Sequence, residues 1–278
     1  MATPRIATRR EPATVGPASH RSTGWLHRVL SWLATIVFLP AFGLTLVVFD
    51  VAQRIARLFG QRPQEYMAGA VQVALVWCFK IGNCRIELER SPELQDWTSY
   101  IVISNHQSMF DIALIGAVLF KNFPKYISKR SLGKWIPTVS YNLREGGHVL
   151  IDRSDGAAAV EAIRELGRRV AAGGPSAVIF PEGTRARHGE LGKFKPAGSL
   201  ALMEEAPNVP IVPMAIDQSW RLLDRNFLPL PWGVRVRVWI GDPIFRKPNE
   251  DHTALLEDVR DRIAERLNGW REGTAGGR

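Results

Sequence analysis

Between residues 29 and 49 the chain reads VLSWLATIVFLPAFGLTLVVF, 21 positions without a charged side chain. As an α-helix such a run is about 32 Å long, the thickness of a bilayer's hydrocarbon core, so the fold must accommodate a membrane-length apolar rod. Pro40, near the middle, removes an amide donor and predicts a kink. A bent, re-entrant or half-inserted segment is therefore as good a reading as a straight span. A cleaved signal peptide competes with these readings, because arginines precede the run; against it, the run is long and no small-x-small site follows before Arg54 and Arg57. Arg9, Arg10, Arg21 and Arg28 on one flank balance Arg54, Arg57 and Arg62 on the other, so charge assigns no orientation.

A second stretch, YMAGAVQVALVWCFKIG at 66–82, is apolar around almost its whole circumference, with Gln72 and Lys80 as its main polar breaks. It is either a buried core helix or the partner of the first segment in a helical hairpin that seats the chain on a bilayer. Residues 1–24, rich in Pro, Arg, Ser and Thr, have no apolar period and read as a disordered basic arm. The whole chain carries 36 Lys and Arg against 27 Asp and Glu, a net charge of +9. That surplus favours an anionic partner: a lipid surface, a phosphorylated substrate or nucleic acid. No nucleic-acid-binding motif accompanies it, and the N-terminal third is apolar, which argues against nucleic acid.

Only Cys78 and Cys84 are present, with neither disulfide nor zinc spacing, which fits a reducing compartment. The six histidines are scattered and include no H-E-x-x-H pair, so no metal or other cofactor is expected.

Beyond residue 83 the hydrophobic period alternates between two and about four. CRIELER (84–90), YIVIS (100–104), HVLID (148–152), SAVIF (176–180), VPIVPMAI (209–216) and VRVRVWIG (234–241) read as strands. Residues 109–120, 156–174 and 253–269 read as helices. The expected fold is α/β: a mixed β-sheet covered by helices, preceded by an N-terminal membrane-associated helical hairpin. The expected divisions are 1–24, the arm; 25–83, the membrane-anchoring helices; 84–270, the α/β domain; and 271–278, a flexible tail.

Directly behind YIVIS stands NHQSMFD, with His106 five positions before Asp111. Five residues of helix turn about 140° away from the starting face, so the two cannot meet within one regular helix. His106 should lie in the strand-to-helix turn, with Ser108 available as an N-cap and Asp111 in the first helical turn. There the carboxylate can accept a hydrogen bond from one ring nitrogen and leave the other to take a proton. No G-x-S-x-G elbow supplies a nucleophile. A base with its orienter and no nucleophile suits a reaction whose nucleophile arrives with the substrate, such as a hydroxyl attacking an activated acyl group.

FPEGTRARHGELGKFKPAG (180–198) follows the strand SAVIF. Gly183 permits close backbone approach, Thr184 offers a hydroxyl, and Arg185 presents a planar fork for a phosphate; Glu182 could orient that arginine, and Lys193 and Lys195 add positive charge. The plainer reading is a β-turn with a solvated arginine. Arg153, just past the strand in GGHVLIDRSD, is either a second guanidinium for the same anion or the partner of Asp152 or Asp155.

NHQSMFD, GGHVLIDR, FPEGTR and VPIVPMAI together resemble, in order and interval, the four motif blocks of the glycerolipid acyltransferase family that includes the 1-acyl-sn-glycerol-3-phosphate acyltransferases. Leu150 departs from that pattern at a position commonly filled by Phe. The resemblance covers about residues 85–245 and implies that His106 is the general base with Asp111 its partner. It implies that Arg153, Glu182, Gly183, Thr184 and Arg185 hold the acceptor's phosphate. Lys129, in YISKRSLGKWIP, matches a basic position of related enzymes that could polarise the thioester oxygen. The implied reaction transfers a fatty acyl group from acyl-CoA or acyl-carrier protein to the sn-2 hydroxyl of lysophosphatidic acid, at the cytoplasmic face of the cell membrane. A relative acting on another lysolipid, such as lyso-ornithine lipid, or a thioesterase or lipid hydrolase, remains an alternative.

Overall fold

The computed structural model describes residues 24–152, 155–186, 188–222, 228–247 and 250–275. The basic arm expected at the N-terminus lies, but for its last residue, outside the described residues. Strands β1 (Arg85–Arg90), β2 (Ile101–Ser104), β3 (Lys125–Lys129), β4 (Val149–Ile151), β5 (Ala177–Ile179), β6 (Ile211–Asp217) and β7 (Arg235–Ile240) form one sheet in the order β1-β7-β6-β2-β5-β3-β4. Strand β2 pairs in parallel with β5 and β6, β5 with β3, and β3 with β4. Strand β7 runs antiparallel to β6 and parallel to β1, which makes the sheet mixed. The loops that leave β2, β3, β4, β5 and β6 therefore gather on one edge, where open α/β sheets place their ligands.

All four residues of β2 are buried, and they alternate between two cores. Val102 faces one packed side and Ile101 and Ile103 the other, as the two-residue period of a strand demands. Helices α1 (Trp25–Leu58), α2 (Gln61–Cys78) and α3 (Phe110–Val118) cover the first side. Helices α5 (Gly156–Ala171), α6 (Pro196–Glu205) and α7 (His252–Ala275) cover the second. A short α4 (Val139–Glu145) connects β3 to β4.

The first apolar run forms a helix longer than its uncharged stretch. α1 has 34 residues and continues through Asp50 and Arg54, which pair at 2.8 Å one turn apart. Pro40 lies inside the helix without ending it. Among the described residues α1 alone is long and apolar enough to cross a membrane, by length and composition. One of its faces is nevertheless fastened to the domain at both ends. Near its start, Thr35 Oγ1 accepts the Leu230 N–H at 2.8 Å and Ser31 Oγ the Trp232 N–H at 3.2 Å. Near its end, Asp50 Oδ1 accepts the Thr138 N–H at 2.7 Å and Gln53 Nε2 donates to Thr138 Oγ1. In between, Phe38 packs on Phe79 at 5.1 Å between ring centres, and Phe79 meets Phe110 of α3 edge-on at 4.0 Å. The opposite face, including Leu33, Ile36, Val37, Leu44, Val47, Val48, Val51 and Ile55, is exposed.

The second apolar run forms a core helix that is also the packing partner of α1. α2 starts at Gln61, earlier than expected, where Gln61 and Arg62 donate to Glu65; it packs against α1 and α3, with Val71 and Leu75 buried. A 3-10 turn, Phe79–Gly82, completes the stretch. At the other terminus α7 runs on to Ala275, into the expected tail, and Arg271 Nη2 reaches back to Asp217 Oδ1 at 3.0 Å.

Candidate active site

β2 delivers Asn105 and His106 to the loop edge, and Asn105 fixes the turn. Its amide donates to Ile216 O and accepts from Ile216 N, both at 2.8 Å, so the side chain bonds to β6 as another strand residue would. The His106 side chain follows, 15 % exposed. Its Nδ1 lies 2.8 Å from Asp111 Oδ2, within the first turn of α3. Asp111 is fully buried and meets only donors. Oδ2 also accepts the N–H groups of Gln107 at 2.6 Å and Ser108 at 2.8 Å, and Oδ1 accepts the Ser219 hydroxyl at 2.5 Å. With Nδ1–H committed to that carboxylate, Nε2 is the basic nitrogen, and it has no partner among the described residues. Phe180 stacks on the imidazole at 4.1 Å between ring centres, 19° from parallel, and limits its rotation.

Ser108 acts one residue earlier than a regular cap. Met109 is the residue that flanks α3, while Ser108 Oγ accepts the Phe110 N–H at 3.2 Å.

The second motif meets the first through backbone. Glu182 Oε1 accepts the His106 N–H at 2.7 Å, and Oε2 accepts the Gly192 N–H at 2.8 Å. The Ala186 N–H closes the loop onto His106 O at 2.7 Å. The expectation that Glu182 orients Arg185 is therefore corrected: its buried carboxylate joins the two loops and forms no ion pair with that arginine. Burial pushes the Glu182 carboxyl above its ordinary range, opposed by these two amides. Gly192 is required by the clasp, since a Cβ there would stand 2.7 Å from Glu182 Oε2. Gly183 holds φ at 69°, the left-handed region, and turns the chain so that Thr184 and Arg185 are exposed. Arg185 makes no hydrogen bond or ion pair among the described residues.

Lys129 is exposed at the end of β3, two strands from β2 and so about 10 Å across the sheet. Arg153 lies outside the described residues; the strand before it, β4, ends at Ile151 on the same edge, paired with Lys129. Asp155 is occupied in capping α5, accepting the Ala158 N–H at 3.0 Å.

Sequence reasoning missed Ser219, Phe180 and Gly192, and gave Asn105 no role. Ser219 comes from a loop 108 residues beyond Asp111, and no local pattern announces it. Gly192 stands ten positions after Glu182, a spacing that carries no general signal.

Residues 85–217 match the family described as Acyltransferase. A 1-acyl-sn-glycerol-3-phosphate acyltransferase of Cocos nucifera is 35% identical over 139 residues, 50% of this chain and 44% of the relative. One of Limnanthes douglasii is 31% identical over 172 residues, 57% of each chain. The matched region thus spans about half the length of these curated relatives. The crystal structure of the 1-acyl-sn-glycerophosphate acyltransferase PlsC from Thermotoga maritima superposes with a TM-score of 0.72 at 22% identity, covering 88% of this chain and 97% of that one. The mixed sheet with its loop edge is the fold of that protein. Both blocks of the site, the His106 turn and the Glu182 loop, fall inside residues 85–217, the stretch of this chain that matches the Acyltransferase family model.

Proposed function

We propose that the chain transfers a fatty acyl group from a thioester, acyl-CoA or acyl-carrier protein, to the sn-2 hydroxyl of lysophosphatidic acid, giving phosphatidic acid. The observation that carries this reading is the unpartnered Nε2 of His106, aimed by a buried Asp111 and joined through the Glu182 clasp to the loop bearing Arg185.

His106 Nε2 takes the hydroxyl proton as the alcohol oxygen attacks the thioester carbon. The C–S bond breaks, and the departing thiolate receives the proton from the imidazolium. A neutral alcohol is a poor nucleophile at neutral pH, so the base is needed while the C–O bond forms. Arg185 and Thr184, with Gly183 shaping their turn, bind the acceptor's phosphate, and Arg153 adds a second guanidinium. Anchoring the phosphate holds the hydroxyl near the base, which converts a bimolecular encounter into a positioned one. Lys129 stabilises the negative charge developing on the thioester oxygen. The role of Glu182 is to hold the His106 turn against the phosphate loop.

The acceptor and product are lipids, and α1 supplies the surface that meets them. Both ends of α1 are fastened to the same domain, at Leu230 and Trp232 and at Thr138. A crossing of about 30 Å of hydrocarbon would carry one end away from those partners. α1 accordingly lies in the interface with its exposed apolar face in the lipid, on the cytoplasmic side where thioester donors are found.

The test is acyl transfer by purified protein with lysophosphatidic acid and a panel of other lysolipids, each with acyl-CoA and acyl-carrier protein. Phosphatidic acid as the principal product supports the reading. Acyl release independent of any acceptor, or preference for a lysolipid without a phosphate, contradicts it.

A further inference from the structure

Trp135 is 95% exposed and stands at φ 74°, on the loop that leaves β3 at the same edge as His106 and Arg185. Side-chain hydrogen bonds brace the loop in that shape. Ser140 Oγ donates to Leu132 O at 2.9 Å and accepts the Ile136 N–H at 3.0 Å, and Arg144 donates to Gly133 O. A tryptophan presented to solvent on a fixed, positive-φ backbone contributes nothing to the core. Its neighbours supply charge of one sign: Lys129, Arg130 and Lys134 are exposed, and no acidic residue occurs between Asp111 and Glu145. Thr138, at the end of this loop, is the residue that Asp50 and Gln53 of α1 grip, so the loop bearing Trp135 is tied through Thr138 to the last part of α1.

We propose that residues 130–137 form a second membrane contact, in which Trp135 enters the headgroup boundary of an anionic bilayer and Arg130 and Lys134 meet lipid phosphates. Indole rings favour that boundary because the ring is apolar and its N–H is a donor. Basic side chains beside it select anionic over zwitterionic lipid. A contact at this loop in addition to α1 fixes the tilt of the domain, which a single amphipathic helix cannot, and turns the edge bearing His106 toward the lipid. The inference rests on the interfacial reading of α1 but not on the reaction assigned to the site. An acidic carrier protein delivering the acyl group is the competing occupant; the fully presented indole, which a charged carrier surface would not need, favours lipid.

The experiment measures flotation of the full chain with vesicles of phosphatidylcholine alone and with vesicles containing phosphatidylglycerol. Trp135→Asn is the variant of choice because asparagine tolerates positive φ, and Trp135→Phe should restore part of the binding. Trp135→Asn is expected to weaken binding to phosphatidylglycerol vesicles about tenfold. Arg130→Gln and Lys134→Gln should each weaken it about fivefold, with little change on phosphatidylcholine alone. Activity on detergent-dispersed substrate should stay within about twofold. Unchanged vesicle binding by Trp135→Asn overturns the proposal. So does unchanged binding accompanied by slower transfer from a carrier-bound donor and normal transfer from acyl-CoA, which reassigns the patch to the carrier. If the unsubstituted chain fails to acylate lysophosphatidic acid in detergent, the assigned reaction falls while the flotation result still decides this proposal.

Discussion

Glu182 accepts the backbone N–H of His106 at 2.7 Å, so the carboxylate of the FPEGTR loop holds the turn that carries His106. Its other oxygen holds Gly192, and a buried carboxylate satisfied by two amides on different loops is a clasp. Glu182→Gln keeps the shape but replaces one acceptor with an NH2 group facing an N–H donor. We expect kcat/KM to fall about 30-fold or more and the melting temperature to drop by several degrees, since a buried donor loses its partner. Activity and melting temperature both close to wild type would remove the clasp.

Ser219 should act on the reaction through Asp111. Its hydroxyl is a fully buried donor to Oδ1 at 2.5 Å, and bonds of this charge-assisted kind are worth about 1.5–3 kcal/mol. Ser219→Ala is expected to lower kcat about tenfold with little change in acceptor KM and to shift the pH-rate profile. Ser219→Thr, which keeps the hydroxyl, should recover part of the loss. A KM effect alone, with the profile unmoved, would make Ser219 a packing residue.

Arg185→Ala should raise the KM for lysophosphatidic acid about 10-fold to 100-fold, because the guanidinium is exposed and has no partner to stabilise among the described residues. Arg185→Lys should fall between, as an ammonium lacks the bidentate fork. Steady-state kinetics with varied acceptor decide this, and an unchanged KM would move the phosphate elsewhere.

His148 gives the chain a pH-dependent stability unrelated to the reaction. It is half-buried, accepts the Tyr126 N–H at Nδ1 at 3.0 Å and stacks on that ring. Burial, with Lys125 and Arg169 nearby, holds its pKa well below 6.5. The folded chain therefore stays unprotonated at His148 while the unfolded chain takes up a proton as pH falls through about 6.5. Stability is full above that value and declines below it, by at most about 1.4 kcal/mol per pH unit. Denaturant melts between pH 8 and pH 5 should show this decline, and His148→Asn, which keeps an acceptor, should flatten it.

Much of the fold could be read from period alone, because β2, β6 and β7 bury or alternate their apolar residues in the strand pattern. β3 was missed: YISK ends in a cationic loop, so its short apolar period looks like part of that loop. α6 was missed as well, although Pro196 at its first turn is a start signal of the ordinary kind. The His106–Asp111 hydrogen bond followed from helical geometry, since a turn before α3 is what lets residues five apart meet. The partner of Glu182 did not follow, because the bond goes to a backbone N–H 76 residues away and sequence displays only side chains. Ser219 was hidden for the same reason of distance, being brought to Asp111 by the β6–β2 pairing.

The central claim is that Nε2 of His106 removes the acceptor's proton. Single-turnover acyl transfer by His106→Gln, with folding confirmed by an unchanged melting temperature and vesicle binding, tests it most directly. The account predicts a fall in rate of at least about a thousandfold at every pH. A rate within tenfold of wild type, with the pH dependence preserved, would contradict it.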